Sequence, residues 1–281
     1  MMSSFLDFVL SQVAFPAPPN TTRSSKKTHF VIMEEGRIAV RFVQPTKYRN
    51  NDTAILFCHG NAEDLSNGPH GCLVYMKYIA DTTELPVFSF DYFGYGQSTK
   101  CVTTERNVEK AVHAVYSFIV HQGFSRIIVM GKSIGSIPTV WLAAQNFSDS
   151  VVGVILISAL ASGYETLQIS KMIGPVRTLD SMFGNNLQSI SRVKAPCLII
   201  HGAQDTTVPV HNARLLYSAL SNHDISPHPC IFGSMQYPTG HNDVEINNKV
   251  DFEDAVCHHV VQSLKRNMHE KSKSPYDTKI E

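Results

Sequence analysis

The sequence predicts an α/β protein, with a mostly parallel central sheet covered by helices on both faces. Three observations lead there. Short apolar runs alternate with longer stretches of helical character from residue 53 to residue 264, as consecutive strand–helix units do. The run at 53–58 is continuously apolar rather than alternating, which marks a strand buried on both faces. One junction also carries Gly131-Lys132-Ser133-Ile134-Gly135, a serine flanked by glycines at the corner between a strand and a helix.

Taken in order, residues 28–43 read as a hairpin, two apolar-rich strands joined at Glu34-Glu35-Gly36. Strand 53–58 ends in His59-Gly60-Asn61, and helix 71–80 and strand 87–90 follow. The alternation continues with helix 103–121, strand 127–130, helix 133–144 and strand 151–157. It then resumes with strand 197–200, helix 211–220, strand 229–232 and helix 250–264. The polar residues from Lys265 to the end are expected to fray. Domain boundaries therefore fall at 1–27, 28–264 and 265–281.

Two segments stand apart. Interval 159–195 is too long for a plain loop, and its apolar residues are broken by Gly174-Pro175 and Gly184. It is expected to form short helices over the active site, near the carboxyl ends of the strands; the alternative is an ordinary crossover. Residues 5–13 predict one amphipathic helix with Phe5, Leu6, Val9 and Val13 on a face, stopped by Pro16, Pro18 and Pro19. That helix either docks on the domain or makes a peripheral membrane contact.

Composition excludes some classes. The 281 residues are 43% apolar with a formal net charge of zero, and no basic face suggests a nucleic-acid partner. Cys58, Cys197 and Cys230 lie in or beside predicted strands and no C-x-x-C pair occurs. The six cysteines thus read as free thiols of a reducing, cytoplasmic compartment, not as a disulfide framework. No signal-peptide pattern is present, nor an apolar run of the roughly 18 residues a transmembrane helix needs. No metal and no cofactor is expected, because no cluster has ligand spacing and no G-x-G-x-x-G follows a first strand.

The corner at Ser133 sets the chemistry. So tight a turn strains the serine backbone and leaves no room for side chains two residues away. It projects the hydroxyl outward and puts the Ile134 amide at a helix N-terminus, where it can stabilise an oxyanion. A serine hydroxyl needs a base, and the base an orienting acid. Asp205 follows strand 197–200 and His241 follows strand 229–232, in the chain order serine, acid, histidine. The second oxyanion donor is expected from the amide of Asn61, with its side chain fixing the loop. The aromatic residues of Asp91-Tyr92-Phe93-Gly94-Tyr95 are candidates for an acyl pocket. His59 and His201 are expected to hold loops, His258 and His259 to lie on the surface. Asp243 and Glu245 are expected to brace the histidine loop, and Glu63 and Asp64 to cap the next helix.

Five stretches carry a family resemblance: residues 58–65, 91–98, 131–139, 200–205 and Gly240-His241-Asn242-Asp243-Val244-Glu245. They resemble the membrane-associated protein depalmitoylases, serine hydrolases of the α/β-hydrolase fold that remove palmitate from lipidated proteins. The likeness covers residues 51–264. It implies thioester cleavage on an S-acylated protein substrate, with Ser133, Asp205 and His241 as the matching triad. One departure is the amino terminus. Animal members carry a palmitoylated cysteine cluster there, whereas the first cysteine here is Cys58, and residues 5–13 are the candidate replacement. The other readings are a carboxylesterase or lipase on a small lipid ester, a peptidase-like hydrolase, and a non-catalytic scaffold on this fold.

Overall fold

Strands that are apolar at every position must be covered on both sides. A computed structural model, which describes residues 17, 27–48, 52–68, 70–162, 186–233 and 238–272, shows how. β1 (His29–Met33) and β2 (Gly36–Val43) form the predicted hairpin, with Met33 opposite Gly36. β3 (Thr53–Cys58), α1 (Leu73–Thr83), β4 (Val87–Phe90), α2 (Glu105–His121) and β5 (Arg126–Lys132) follow. A 3-10 turn at Ser133–Gly135 runs directly into α3 (Ser136–Ala143). Then come β6 (Val151–Ile157), α4 (Asn186–Ile190), β7 (Cys197–Gly202), α5 (His211–Ala219), β8 (Cys230–Phe232), α6 (Val244–Asn247) and α7 (Lys249–Ser272).

The eight strands make one sheet in the order β1-β2-β4-β3-β5-β6-β7-β8. β2 is antiparallel to both neighbours, and every pairing from β4 across to β8 is parallel. After β3 the chain places β4 on one side and β5 on the other. The crevice beyond the carboxyl ends of β3 and β5 is therefore a topological switch point, where open α/β sheets bind ligands.

Alternation along each strand builds two cores. Ala54, Leu56 and Cys58 of β3 face one that includes Val108, Val112 and Val115 of α2. Ile55 and Phe57 face another, with Met76 and Ile79 of α1 and Phe252 and Val256 of α7. α2 is helical for readable reasons. Thr104 caps it by accepting from the Asn107 amide, and Val108, Ala111, Val112, Val115 and Ile119 form its buried stripe.

Several expectations change. α7 continues to Ser272 where a tail was expected from Lys265. Lys265 and Arg266 are good helix formers, so the polar character of this stretch does not by itself mean fraying. His259 is 4% exposed, not a surface residue. It turns toward β6, and burial, with the His258 charge adding, pushes its imidazole down to about 4 despite a hydrogen bond to the Val154 backbone. Glu63 and Asp64 do not cap α1, whose N-cap is Cys72. Instead Glu63 accepts from the Gly60 amide and Asp64 from the Ser66 amide, closing the loop before the helix. Residues 5–13, and 163–185 of the expected insert, lie outside the described residues. From that insert, Ile190 and Val193 are buried in the core with Val140 of α3 and Leu216 of α5. Among the described residues no helix is long and apolar enough to cross a membrane.

Candidate active site

Ser133 sits at φ +54° at the end of β5, in the left-handed region a non-glycine residue enters only when its surroundings demand it. The flanking glycines explain the demand. A Cβ on Gly135 would lie 2.0 Å from the Cys58 carbonyl oxygen and 2.7 Å from that of His59. One on Gly131 would lie 2.5 Å from the Gly135 carbonyl oxygen and from Thr139 Oγ1. The corner is thus pressed against the end of β3, and only glycine fits on either side of the serine.

The acid and base arrive on loops that are stitched together. Gly202 ends β7, and a Cβ there would lie 2.2 Å from the Gly240 carbonyl oxygen, so the histidine loop can cross it closely. The Gln204 amide donates to the Thr239 carbonyl (2.9 Å), and the Thr239 amide to Gln204 Oε1 (2.8 Å). Asp205 and His241 are held face to face as a result. Asp205 Oδ2 lies 2.7 Å from His241 Nδ1, and His241 Nε2 lies 3.0 Å from Ser133 Oγ. With Nδ1–H donating to the carboxylate, the Nε2 lone pair faces the serine hydroxyl.

The Asp205 carboxylate is built to stay ionised. Burial by itself would raise its pKa, but hydrogen bonds from His201, His241 and the Val208 amide outweigh it, and the pKa falls well below the ordinary carboxylate value. Its Oδ1 accepts from the Thr207 amide (2.9 Å) and the Val208 amide (2.8 Å). His201 Nε2 lies 2.8 Å from the Val208 carbonyl and 3.3 Å from Asp205 Oδ2. His201 therefore holds its loop, as expected, and also touches the acid. Sequence reasoning missed that second contact, although the four-residue spacing to Asp205 was visible.

Across the crevice, the loop after β3 presents its backbone. The Gly60 amide is taken by Glu63 (3.0 Å) and the Ala62 amide by Asn61 Oδ1 (3.0 Å). Among the described residues, no such acceptor engages the Asn61 amide, the donor expected from sequence. The Asn61 side chain fixes the loop, since Tyr95 Oη also donates to its Oδ1 (2.9 Å). The Ile134 amide lies in the first turn leading into α3, where N–H groups have no partner within the helix.

Comparison with known proteins now bears on this geometry. A sequence model of the alpha/beta hydrolase fold family matches residues 53–183. Alpha/beta hydrolase domain-containing protein 17B of Homo sapiens is 31% identical over 215 residues, covering 75% of this chain and 67% of the human protein. The chain belongs to this alpha/beta hydrolase family. A Caenorhabditis elegans member, alpha/beta hydrolase domain-containing protein aho-3, is 28% identical over 75% of this chain, which spans 58% of the worm protein's length. In fold, the chain is similar to an esterase from Pyrococcus furiosus, with a TM-score of 0.63 at 17% identity over 89% of this chain and 98% of that one. It is also similar to Est1E from Butyrivibrio proteoclasticus, solved with ferulic acid bound, at 0.66 and 15% over 84% and 99%.

Two further expectations are settled within this family fold. Tyr92, Phe93 and Tyr95 do not line an open acyl pocket, because each is fully buried. Tyr92 Oη donates to the His59 carbonyl (2.7 Å) and its ring lies 4.4 Å from the His59 imidazole, so these aromatics back the β3 loop from inside. Asp243 and Glu245 do brace the histidine loop. Asp243 Oδ1 accepts from the Gly240 amide at 2.6 Å, and Glu245 Oε1 from Lys132 Nζ at 2.8 Å. Among the described residues, no group of three or more His, Cys, Asp or Glu side chains is arranged to hold a metal.

Proposed function

We propose that this protein is a serine hydrolase that cleaves acyl esters and thioesters through an acyl-enzyme. The observation that carries the reading is the hydrogen-bonded chain Ser133–His241–Asp205, at 3.0 and 2.7 Å, at the switch point of the sheet. Ser133 Oγ attacks the acyl carbon while His241 Nε2 takes its proton. The amides of Asn61 and Ile134 hold the oxyanion. The bond to the leaving sulfur or oxygen then breaks, and His241 returns the proton to it. A water, deprotonated by the same imidazole, attacks the acyl carbon; the bond from that carbon to Ser133 Oγ then breaks, His241 returns the proton to Oγ, and the acid is freed. Asp205 keeps Nδ1 protonated and stabilises the imidazolium throughout.

The substrate class we propose is palmitate on S-acylated proteins, supported by the Gly240–Glu245 stretch and the other motifs that resemble the depalmitoylases. A peripheral membrane contact through residues 5–13 belongs to the same reading, since such substrates sit at membranes. The six free cysteines favour a cytoplasmic location. A carboxylesterase or lipase acting on small lipid esters is the second reading, because the same three residues serve an oxygen leaving group equally well.

A fluorophosphonate probe is expected to label wild type and not Ser133→Ala; equal labelling of both sinks the nucleophile assignment. Turnover of a palmitoyl-thioester peptide, compared with short-chain and monoacylglycerol esters, tests the substrate class. If short esters alone turn over, depalmitoylation is wrong and the esterase reading stands.

A further inference from the structure

Lys132 immediately precedes the proposed nucleophile, and Glu245 stands four residues after the proposed base. Their side chains meet: Lys132 Nζ lies 2.8 Å from Glu245 Oε1, with each side chain 9% exposed. The ammonium also lies 5.1 Å from the centroid of the Tyr75 ring. Glu245 Oε2 and Tyr75 Oη are buried and have no hydrogen-bond partner among the described residues. Lys132 thus compensates the Glu245 charge there, and a buried pair of this kind is strongly sensitive to loss of one member.

The other ties on the histidine loop come from elsewhere. Asp243 belongs to the loop itself, Gln204 to the acid loop, Asn247 and Asn248 reach Pro238 and Thr239 from the end of the helix that follows, and Ser158 Oγ reaches the His241 carbonyl at 3.3 Å from the end of β6. Among the described residues, none of these joins the loop to β5. We infer that the Lys132–Glu245 ion pair is a positioning device, which fixes the base loop against the nucleophile's own strand and so sets the Ser133–His241 separation. The inference rests on the proposed triad. Lys132 and Glu245 act through Ser133 and His241 and touch no substrate.

A displaced base loses rate without losing ground-state binding. The test compares wild type, Lys132→Met, Lys132→Gln/Glu245→Gln and Ser133→Ala by thermal denaturation, fluorophosphonate labelling rate, and kcat and KM on p-nitrophenyl butyrate. Lys132→Met is expected to lower kcat by about 10- to 100-fold with KM nearly unchanged, and to slow labelling in parallel. The glutamine pair offers a neutral hydrogen bond between the same positions and is expected to recover most of that loss. Wild-type kcat in folded Lys132→Met overturns the proposal, as does a glutamine pair no more active than Lys132→Met. If Lys132→Met does not fold, Lys132→Met/Glu245→Leu decides. It leaves neither charge buried alone but abolishes the tie, so it is expected to fold and lose kcat at constant KM, and wild-type kcat in it overturns the idea. Labelling that survives in Ser133→Ala would instead reject the triad. Labelling lost in Ser133→Ala beside normal kcat in Lys132→Met rejects the coupling alone.

Discussion

Replacing Asp205 by asparagine changes one atom and, from the geometry around it, disables the base. Oδ1 accepts two backbone amides, from Thr207 at 2.9 Å and Val208 at 2.8 Å. An asparagine must keep its carbonyl oxygen there, because turning the NH2 group toward two donors would bury three unpaired groups. The NH2 group then takes the place of Oδ2, 2.7 Å from His241 Nδ1, and donates where the carboxylate accepted. His241 responds by accepting at Nδ1 and carrying its proton on Nε2, which faces Ser133 Oγ at 3.0 Å. That tautomer cannot take the serine proton. The expected loss in kcat is about 10⁴-fold, or roughly 5 kcal/mol of transition-state stabilisation, with KM little changed. Burst and steady-state kinetics on p-nitrophenyl butyrate at pH 7.5 measure it, with the circular-dichroism spectrum as a check on folding. A folded Asp205→Asn within about tenfold of wild-type kcat would refute the assignment of Asp205 as the orienting acid.

Two other outcomes follow from the structure. Gly135→Ala places a methyl 2.0 Å from the Cys58 carbonyl oxygen, a backbone atom that cannot swing away. It is expected to lower the denaturation midpoint by an amount equivalent to about 1–3 kcal/mol or more, and to abolish fluorophosphonate labelling; a wild-type melt and labelling rate contradict the packing argument. His259 gives the fold an acid sensitivity, because burial pushes its imidazole down to about 4 from the ordinary value of 6.5. Between those values the unfolded chain binds the extra proton, so stability is full above 6.5 and falls as pH drops toward 4, by roughly 3 kcal/mol in all. Urea midpoints across this window should fall less steeply in His259→Gln, and parallel slopes would count against a buried neutral imidazole.

Much of this was legible in the chain. The strands were marked by apolar runs because a strand covered on both faces cannot alternate, and the corner at Ser133 was marked because only glycine fits beside it. Asp205 and His241 could be chosen since each follows a strand in the required order. The acid's second histidine, the burial of Tyr92 and Tyr95, and the inward turn of His259 escaped notice. The burial of Tyr92 and Tyr95 and the turn of His259 depend on which neighbours a side chain meets in the folded core, and local sequence carries no signal of that. The four-residue spacing of His201 to Asp205 was visible, but not that the loop brings the two side chains together.

By itself, then, the sequence determined the layered α/β architecture and marked the serine corner and the two residues, Asp205 and His241, that the structure brings to it. Those features follow from local sterics and from periodicity, both of which act over a few residues. Only the tertiary structure decided that Gly202 lets the base loop cross and that Lys132 is matched to Glu245. Those partners are brought together by the closing of the sheet, across more than a hundred residues in the last case (|i−j| = 113), and no pattern read along the chain reaches that far.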